Sequence, residues 1–357
     1  MSARIAVDAM GGDNAPGEIV AGALMAAGGL GVELTLVGRV DAIRAEMEGT
    51  TEISGLRIVD APDVIEMDEH PTDAVRAKPN SSINVGLRLV KSGEADAFVT
   101  AGNTGAAMTA ALLTLGRIRG IGRPALGTVF PTGDNRVTML LDVGANADCR
   151  PIHLIQFAYM GAAYMERAFG IAQPRVGLIS IGEEDSKGNQ LTIEVNEALR
   201  ASRLNFIGNV EGKDLTKGVC DVVVMDGFTG NVVLKTAEGM AELMFGELRK
   251  AVELTPWNRA AGLVLMSELR KVKRRLDYTE YGGAQLLGVD GVTVIGHGRS
   301  NARAVFSAIR AARDAVNNRV LDTLREVAKE IPAKKGLQGA IDTDEEYPPL
   351  THEPRSG

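Results

Sequence analysis

An α/β fold built on a mixed, mostly parallel sheet is what this sequence predicts, on three observations. Short apolar β-type runs alternate with helical periods from the first residues onward. The chain holds 42 glycines and only 4% aromatic residues, a mixture suited to small-residue helices packed closely on a sheet with many backbone-lined turns. Two further β-type runs, Ala125–Phe130 and Val137–Asp142, are separated by Pro131, Gly133 and Asp134, a hairpin spacing that would insert an antiparallel pair.

Taken in order, Arg4–Met10 is an apolar run that breaks into GGDNAP, and a helical pattern runs from Pro16 to Ala27, with the proline suited to a first helical turn. Strand-like Glu33–Gly38, helical Asp41–Met47 and strand-like Leu56–Asp60 follow. Ala61–Ser82 is proline-bearing, charged and without a period, so it reads as a long irregular loop with at most one short helix. Ile83–Ser92 reads as helix, Ala95–Thr100 as strand and Ala106–Leu115 as an apolar helix. After the hairpin come a helix from Ile152 to about Phe169, the strand Arg175–Ile181, a helix from Leu191 to Arg200, a weak strand at Asn205–Ile207 and a strong one at Val219–Met225. Val232–Leu276 is helical except near Thr255 and Pro256, where proline should separate two helices into a hairpin. The runs Ala284–Leu287 and Val292–Ile295 precede one long helix from Ala302 to about Lys329. Residues 1–335 are thus expected to form a single α/β catalytic domain, with 232–280 as a protruding helical hairpin and 336–357 as a disordered acidic tail.

Composition narrows the function classes. At 357 residues with 45% hydrophobic and 24% charged residues, the chain can bury a substantial core. Cys149 and Cys220 make neither a disulfide framework nor a zinc spacing, which fits a reducing cytoplasm. Residues 1–10 lack a basic start followed by an apolar run, and no apolar segment reaches membrane-spanning length, so a chain that is neither exported nor spanning is expected. A net charge of −7 speaks against nucleic acid as a partner of the whole surface.

The chemistry-bearing feature is a repeated event: a strand ending in a small-residue turn, as in MGGDNAP, TAGNTGA, DVGANAD, IGEEDSKGN, DGFTGN and GHGRSN. In an open α/β sheet such turns fall along the carboxyl edge, where ligands bind. Within IGEEDSKGN, Lys187 precedes a helix start and Gly188 permits close backbone approach, which together suit an anion. A solvated turn with a bystander lysine would explain one such motif in isolation; six similar turns favour a site. Backbone amides at Gly11, Gly12, Gly102, Gly105 and Gly144 could approach an anion, with Asn103, Thr104 and Asn146 lending polar groups. His297 is the one histidine of four in a site-like turn, and substrate contact and a structural role are equally open to it. No nucleotide fingerprint, serine elbow or cysteine–histidine pairing is present, so no cofactor or metal is expected and a transferase here would draw its nucleophile from the substrate.

IAVDAMGGDNAP, VIEMDEHP, KPNSS, VTAGNTGA, LDVGAN, LISIGEEDSKGN, VVMDGFTGNVVLKTAEG and YGGAQLLGVDGVTVIGHGRSN, in that order from Ile5 to about Val316, resemble the bacterial PlsX phosphate acyltransferase family. The resemblance implies acyl transfer from acyl carrier protein to inorganic phosphate in phospholipid synthesis, with Lys187 and Asn231 catalytic. It also implies a three-layer α/β/α sandwich like that of phosphate acetyltransferases and isocitrate dehydrogenase-type enzymes, assembled as a homodimer. Peripheral attachment to the inner face of the cell membrane follows from it too, with a downstream glycerol-3-phosphate acyltransferase as a further partner. Two positions depart from the family pattern: Asn14 stands where histidine is frequent, and Ala77, Lys78 and Pro79 stand where two adjacent basic residues are frequent. An amide at position 14 cannot act as a base near neutral pH.

The hairpin carries its own signal. Between Glu247 and Leu276, Arg249, Lys250, Arg259, Arg270, Lys271, Lys273, Arg274 and Arg275 outweigh Glu247, Glu253 and Glu268, a net +5 in an acidic chain. Trp257, Ala261, Leu265, Leu269, Val272 and Leu276 recur at helical spacing. A dimer-packing helix accounts for the stripe alone; stripe and charge together predict contact with an anionic membrane surface.

Overall fold

The computed structural model describes residues 2–48, 55–133, 136–276 and 281–331. The expected acidic tail, 336–357, lies outside the described residues, as do residues 277–280 at the end of the hairpin. In chain order the elements are β1 (Arg4–Asp8), α1 (Gly17–Gly29), β2 (Glu33–Gly38), α2 (Val40–Glu46), β3 (Leu56–Asp60), α3 (Pro71–Ala77), α4 (Ser82–Lys91), β4 (Ala97–Thr100), α5 (Thr104–Thr114), β5 (Ala125–Pro131) and β6 (Val137–Leu141). They continue as α6 (Pro151–Phe169), β7 (Val176–Ile179), α7 (Gln190–Arg200), β8 (Phe206–Val210), β9 (Val222–Val224), α8 (Gly227–Glu253), α9 (Pro256–Leu276), β10 (Ala284–Leu287), β11 (Val292–Ile295), α10 (Ala302–Asn317) and α11 (Val320–Glu330).

All eleven strands join one sheet in the order β3-β2-β1-β4-β11-β10-β5-β6-β9-β7-β8. Its strands alternate their side chains between two apolar layers, as a pleated sheet covered on both faces must. Ala6, Phe98, Leu140 and Val223 face a core shared with α4, α5 and Leu234 of α8. Ile5, Val7, Ala97 and Val99 face α1 and α10, while Met139, Leu141, Val222 and Val224 face α6, α7 and α11. Helices thus cover both faces of a mixed sheet, the three-layer α/β/α arrangement.

Three differences from the sequence reading have physical causes. The long helix expected from Ala302 to Lys329 is two helices, because Arg319 adopts the left-handed conformation (φ 54°) after the polar pair Asn317–Asn318. α8 begins at Gly227, so Asn231, its fifth residue, sits within a helix and not in a loop; Asp226 caps the first turn by accepting from Thr229 N at 2.9 Å. Third, the six small-residue turns do not share one edge. The pairings β11–β10, β10–β5 and β5–β6 are all antiparallel, so three reversals leave β1, β4 and β11 running opposite to β6, β9 and β7.

Candidate active site

The first group of turns follows β1, β4 and β11, which are adjacent parallel strands. A fully buried carboxylate, Asp8, organises it: Oδ1 accepts from Met10 N at 3.0 Å and Oδ2 from Thr100 Oγ1 at 2.6 Å. Thr100 Oγ1 in turn accepts from Gly102 N at 2.9 Å, so the Gly102 amide is held inside the protein. Burial pushes the Asp8 carboxyl up, and hydrogen bonds from Ser82, Thr100, Met10 and Gly11 oppose that shift. Gly12 has φ +105°, a conformation that favours glycine, and Asp13 N donates to Gly298 O at 2.8 Å, clamping the first turn to the last. Asn103 caps α5 by accepting from Ala106 N at 3.0 Å. Its Nδ2 donates to the carbonyls of Glu66, Met67 and Glu69 at 3.1–3.3 Å, fastening the long loop. Thr104 is exposed at the first turn of α5, and Gly105 packs against Pro71.

His297 is half-buried in this group, and its Nδ1 accepts from Arg299 N at 3.2 Å. In the neutral ring the proton is therefore on Nε2, which becomes a donor. Burial lowers the pKa of the ring first; Lys235 and Arg299 lower it further, against Glu238 and Asp13.

The second group follows β6, β9 and β7, again adjacent parallel strands. Asp142 is its buried organiser. Its Oδ1 accepts from Leu126 N, Gly144 N and Ala145 N at 3.0, 3.1 and 2.9 Å, and its Oδ2 accepts from Asn146 N and Nδ2 at 2.8 Å each. Asn146 Nδ2 also donates to Pro124 O at 2.7 Å, so the amides of Gly144 and Asn146 hold the turn together. Gly227 N donates to Asn146 O at 2.7 Å, seating the start of α8 on this turn, and Gly144 presents its open side to Asn231, whose Oδ1 is 3.8 Å from where a Cβ would stand.

Lys187 lies beyond β7, the immediate neighbour of β9 in the sheet, about 5 Å away at strand level. Its backbone is fixed: its N donates to Glu184 O at 3.0 Å, and its O accepts from Ser180 Oγ at 3.1 Å. Gly188 has φ +113° and packs against Thr192, so this turn needs glycine. Two of the three acidic residues beside it are drawn elsewhere: Asp185 pairs with Arg200, and Glu183 Oε1 lies 3.8 Å from Lys213. Among the described residues no carboxylate comes within ion-pair distance of the exposed Lys187 ammonium.

α8 links the two groups. At 27 residues it spans about 40 Å. Phe228, Asn231, Lys235 and Glu238 fall on one face at helical spacing. Asn231 meets the Gly144 turn, and one turn further on Lys235, paired with Glu238 at 3.0 Å, acts on His297. Sequence reasoning missed Lys235, Asp8 and Asp142; the signal for the two carboxylates was an aspartate at a strand end just before a glycine turn, in VDAMGG and LDVGAN alike. Among the described residues no group of three or more His, Cys, Asp and Glu side chains is placed to hold a metal ion.

The wide mixed sheet covered by helices on both faces is the α/β fold of phosphotransacetylase-like proteins. A phosphotransacetylase from Streptococcus pyogenes superposes with a TM-score of 0.60 at 18% identity, covering 88% of this chain and 94% of that one. A branched-chain phosphotransacylase from Enterococcus faecalis V583 gives 0.55 at 14% identity, covering 88% and 99%. In sequence, a phosphate acyltransferase of Pelotomaculum thermopropionicum is 51% identical over 333 residues, 93% of this chain and 96% of that protein. One of Nostoc punctiforme is 52% identical over 324 residues, 90% and 95%. The profile of the fatty acid synthesis protein family matches residues 3–323, and the chain belongs to that family.

Proposed function

We propose that this protein is a phosphate acyltransferase that moves a long-chain acyl group from acyl carrier protein to inorganic phosphate, forming acyl phosphate for phospholipid synthesis. The observation that carries the reading is half-identity to phosphate acyltransferases over nine-tenths of both chains. A phosphate oxygen attacks the thioester carbonyl carbon, a tetrahedral oxyanion forms, and the C–S bond breaks to release the carrier thiolate, which takes a proton from solvent. Phosphate is already ionised at neutral pH, so the protein has to position it and stabilise charge. Lys187, without a carboxylate partner, orients the dianion; Asn231 Nδ2 donates to the oxyanion or to phosphate. Gly11, Gly12, Gly102, Asn103, Thr104, Gly105, Gly144 and Asn146 shape the turns around the substrates, and the Nε2–H of His297 donates from the opposite group.

The hairpin fits a homodimer that rests peripherally on the inner face of the membrane and passes its product to a glycerol-3-phosphate acyltransferase. Leu254 and Trp257 at its tip are 77% and 86% exposed, and Val264 and Leu265 on α9 are 79% and 54% exposed. No described helix is long and apolar enough to cross a membrane.

The test is incubation of the purified protein with phosphate and either long-chain acyl carrier protein or acyl-coenzyme A. Acyl phosphate from the carrier-bound donor is expected. Activity confined to acetyl-coenzyme A would make it a phosphate acetyltransferase, and absence of product from any donor would leave a non-catalytic membrane scaffold.

A further inference from the structure

The loop between α5 and β5 carries Arg117, Arg119 and Arg123, and Arg150 stands directly before α6. This loop is fastened to α6 and to the sheet: Gly122 N donates to Gln156 Oε1 at 2.8 Å, Gln156 Nε2 to Gly120 O at 2.9 Å, and Ile118 N to Gly288 O at 2.9 Å. Arg117 bonds the Gly122 carbonyl. Arg123 and Arg150 converge on buried His153, whose proton both disfavour. Arg4, Arg175 and Arg325, by contrast, are held by carboxylates, in the pairs Arg4–Asp96, Arg175–Asp221 and Arg325–Asp290. Among the described residues Arg119, Arg123 and Arg150 have no carboxylate within ion-pair distance, and Asp148 is the one acidic residue of the adjoining turn.

Arg123 and Arg150 both act on His153, and with exposed Arg119 on the same loop they give this rim a local positive charge on a chain of net charge −7. The patch also borders the site. Pro124 O accepts from Asn146 Nδ2 at 2.7 Å and Leu126 N donates to Asp142 Oδ1 at 3.0 Å, so the same loop buttresses the turn that holds Gly144 beside Asn231. Arg123 acts on Cys149 together with Asp142 and Asp226, the organiser of that turn and the cap of α8.

We propose that Arg119, Arg123 and Arg150 form the docking face for an acidic carrier protein, oriented so that its thioester arm reaches over the Gly144 turn to Asn231 and Lys187. The proposal rests on the carrier-bound donor inferred above. Long-range attraction would steer the carrier to this rim, and a preformed loop would spare it an ordering cost.

The experiment compares wild type with the double variant R119E/R150E, both positions being exposed. Binding of fluorescently labelled, unacylated carrier protein is read by anisotropy, independently of turnover, and KM for acyl carrier protein and for phosphate are measured separately. Expected are a loss of carrier affinity and a rise in its KM of roughly tenfold or more, a flattened salt dependence, unchanged KM for phosphate and an unchanged melting temperature. R119K/R150K should behave as wild type. Equal carrier binding by R119E/R150E overturns the surface even if acyl phosphate forms normally. Carrier binding lost in that variant supports the surface even if the wild type makes no acyl phosphate, which would refute the functional reading instead. Loss of binding to phosphatidylglycerol vesicles with carrier binding intact would assign the patch to lipid and overturn the proposal.

Discussion

Lys187 lies in a turn with three acidic side chains, yet among the described residues no carboxylate stands within ion-pair distance of its ammonium. Lys187→Ala should therefore lower kcat by about 10²–10³, as removal of one positioned electrostatic group commonly does, with a nearly unchanged melting temperature. Turnover retained with a large stability loss would make it structural. His297 and Lys235 give a pH signature. Protonation of Nδ1 would remove its bond from Arg299 N, and Lys235 helps keep the ring neutral; if that turn must stay intact for turnover, Lys235→Met should move the acid limb of log kcat/KM to higher pH, because the ring then protonates earlier as pH falls. An acid limb that stays in place would detach His297 from the reaction. His153 supplies a stability signature. Burial, then Arg123 and Arg150, lower its pKa to about 4 from 6.5, so on acidification the unfolded chain takes the proton first. Its contribution is complete above pH 6.5 and is lost as pH falls towards 4, worth about 3 kcal/mol. Urea titrations at pH 7 and pH 4.5 should show that loss in the wild type and a smaller one in His153→Asn, whose amide oxygen can still accept from Arg150 N.

At the scale of elements, the strands with clear apolar runs were legible to the residue: Glu33–Gly38, Leu56–Asp60, Ala284–Leu287 and Val292–Ile295 stand where the sequence puts them. Helix ends were less so. DGFTGN looks like a turn because of its two glycines, yet Asp226 followed by Thr229 is a capping pattern, and Gly230 is needed because any side chain there would run into the Asp142 carbonyl. The break at Arg319 was hidden by an apolar period that continues through it into Val320 and Leu324, both buried. The hairpin was read from periodicity and proline, and Gly262 of α9 indeed packs against Val252 of α8 near its tip. If the stripe meets lipid, as proposed, Leu265→Glu should abolish co-sedimentation with anionic vesicles and leave the oligomeric state in analytical ultracentrifugation the same as that of the wild type. A variant that falls apart to a smaller assembly than the wild type would hand the apolar stripe to an interface between copies of the chain.

For the whole molecule, composition and alternation made the α/β class legible, whereas strand order and direction were not, since pairing partners such as β11 with β4 lie some two hundred residues apart in the chain. That is why the six turns were expected on one edge. The three antiparallel pairings β11–β10, β10–β5 and β5–β6 divide them, and α8 crosses between the divided groups, carrying Asn231 to one and Lys235 to the other. Asn103 and Asn146 were legible as turn residues but not as clamps, because their acceptors, from Glu66 to Pro124, are set by tertiary packing. The central claim is direct attack by phosphate with no protein nucleophile. It is tested by mixing enzyme and radiolabelled acyl carrier protein without phosphate, then adding ¹⁸O-labelled phosphate. Direct attack predicts no acyl-enzyme and no burst of free carrier thiol before phosphate is added, and acyl phosphate that retains all four labelled oxygens afterwards. A phosphate-independent burst of thiol stoichiometric with enzyme, with label covalently on the protein, would contradict it.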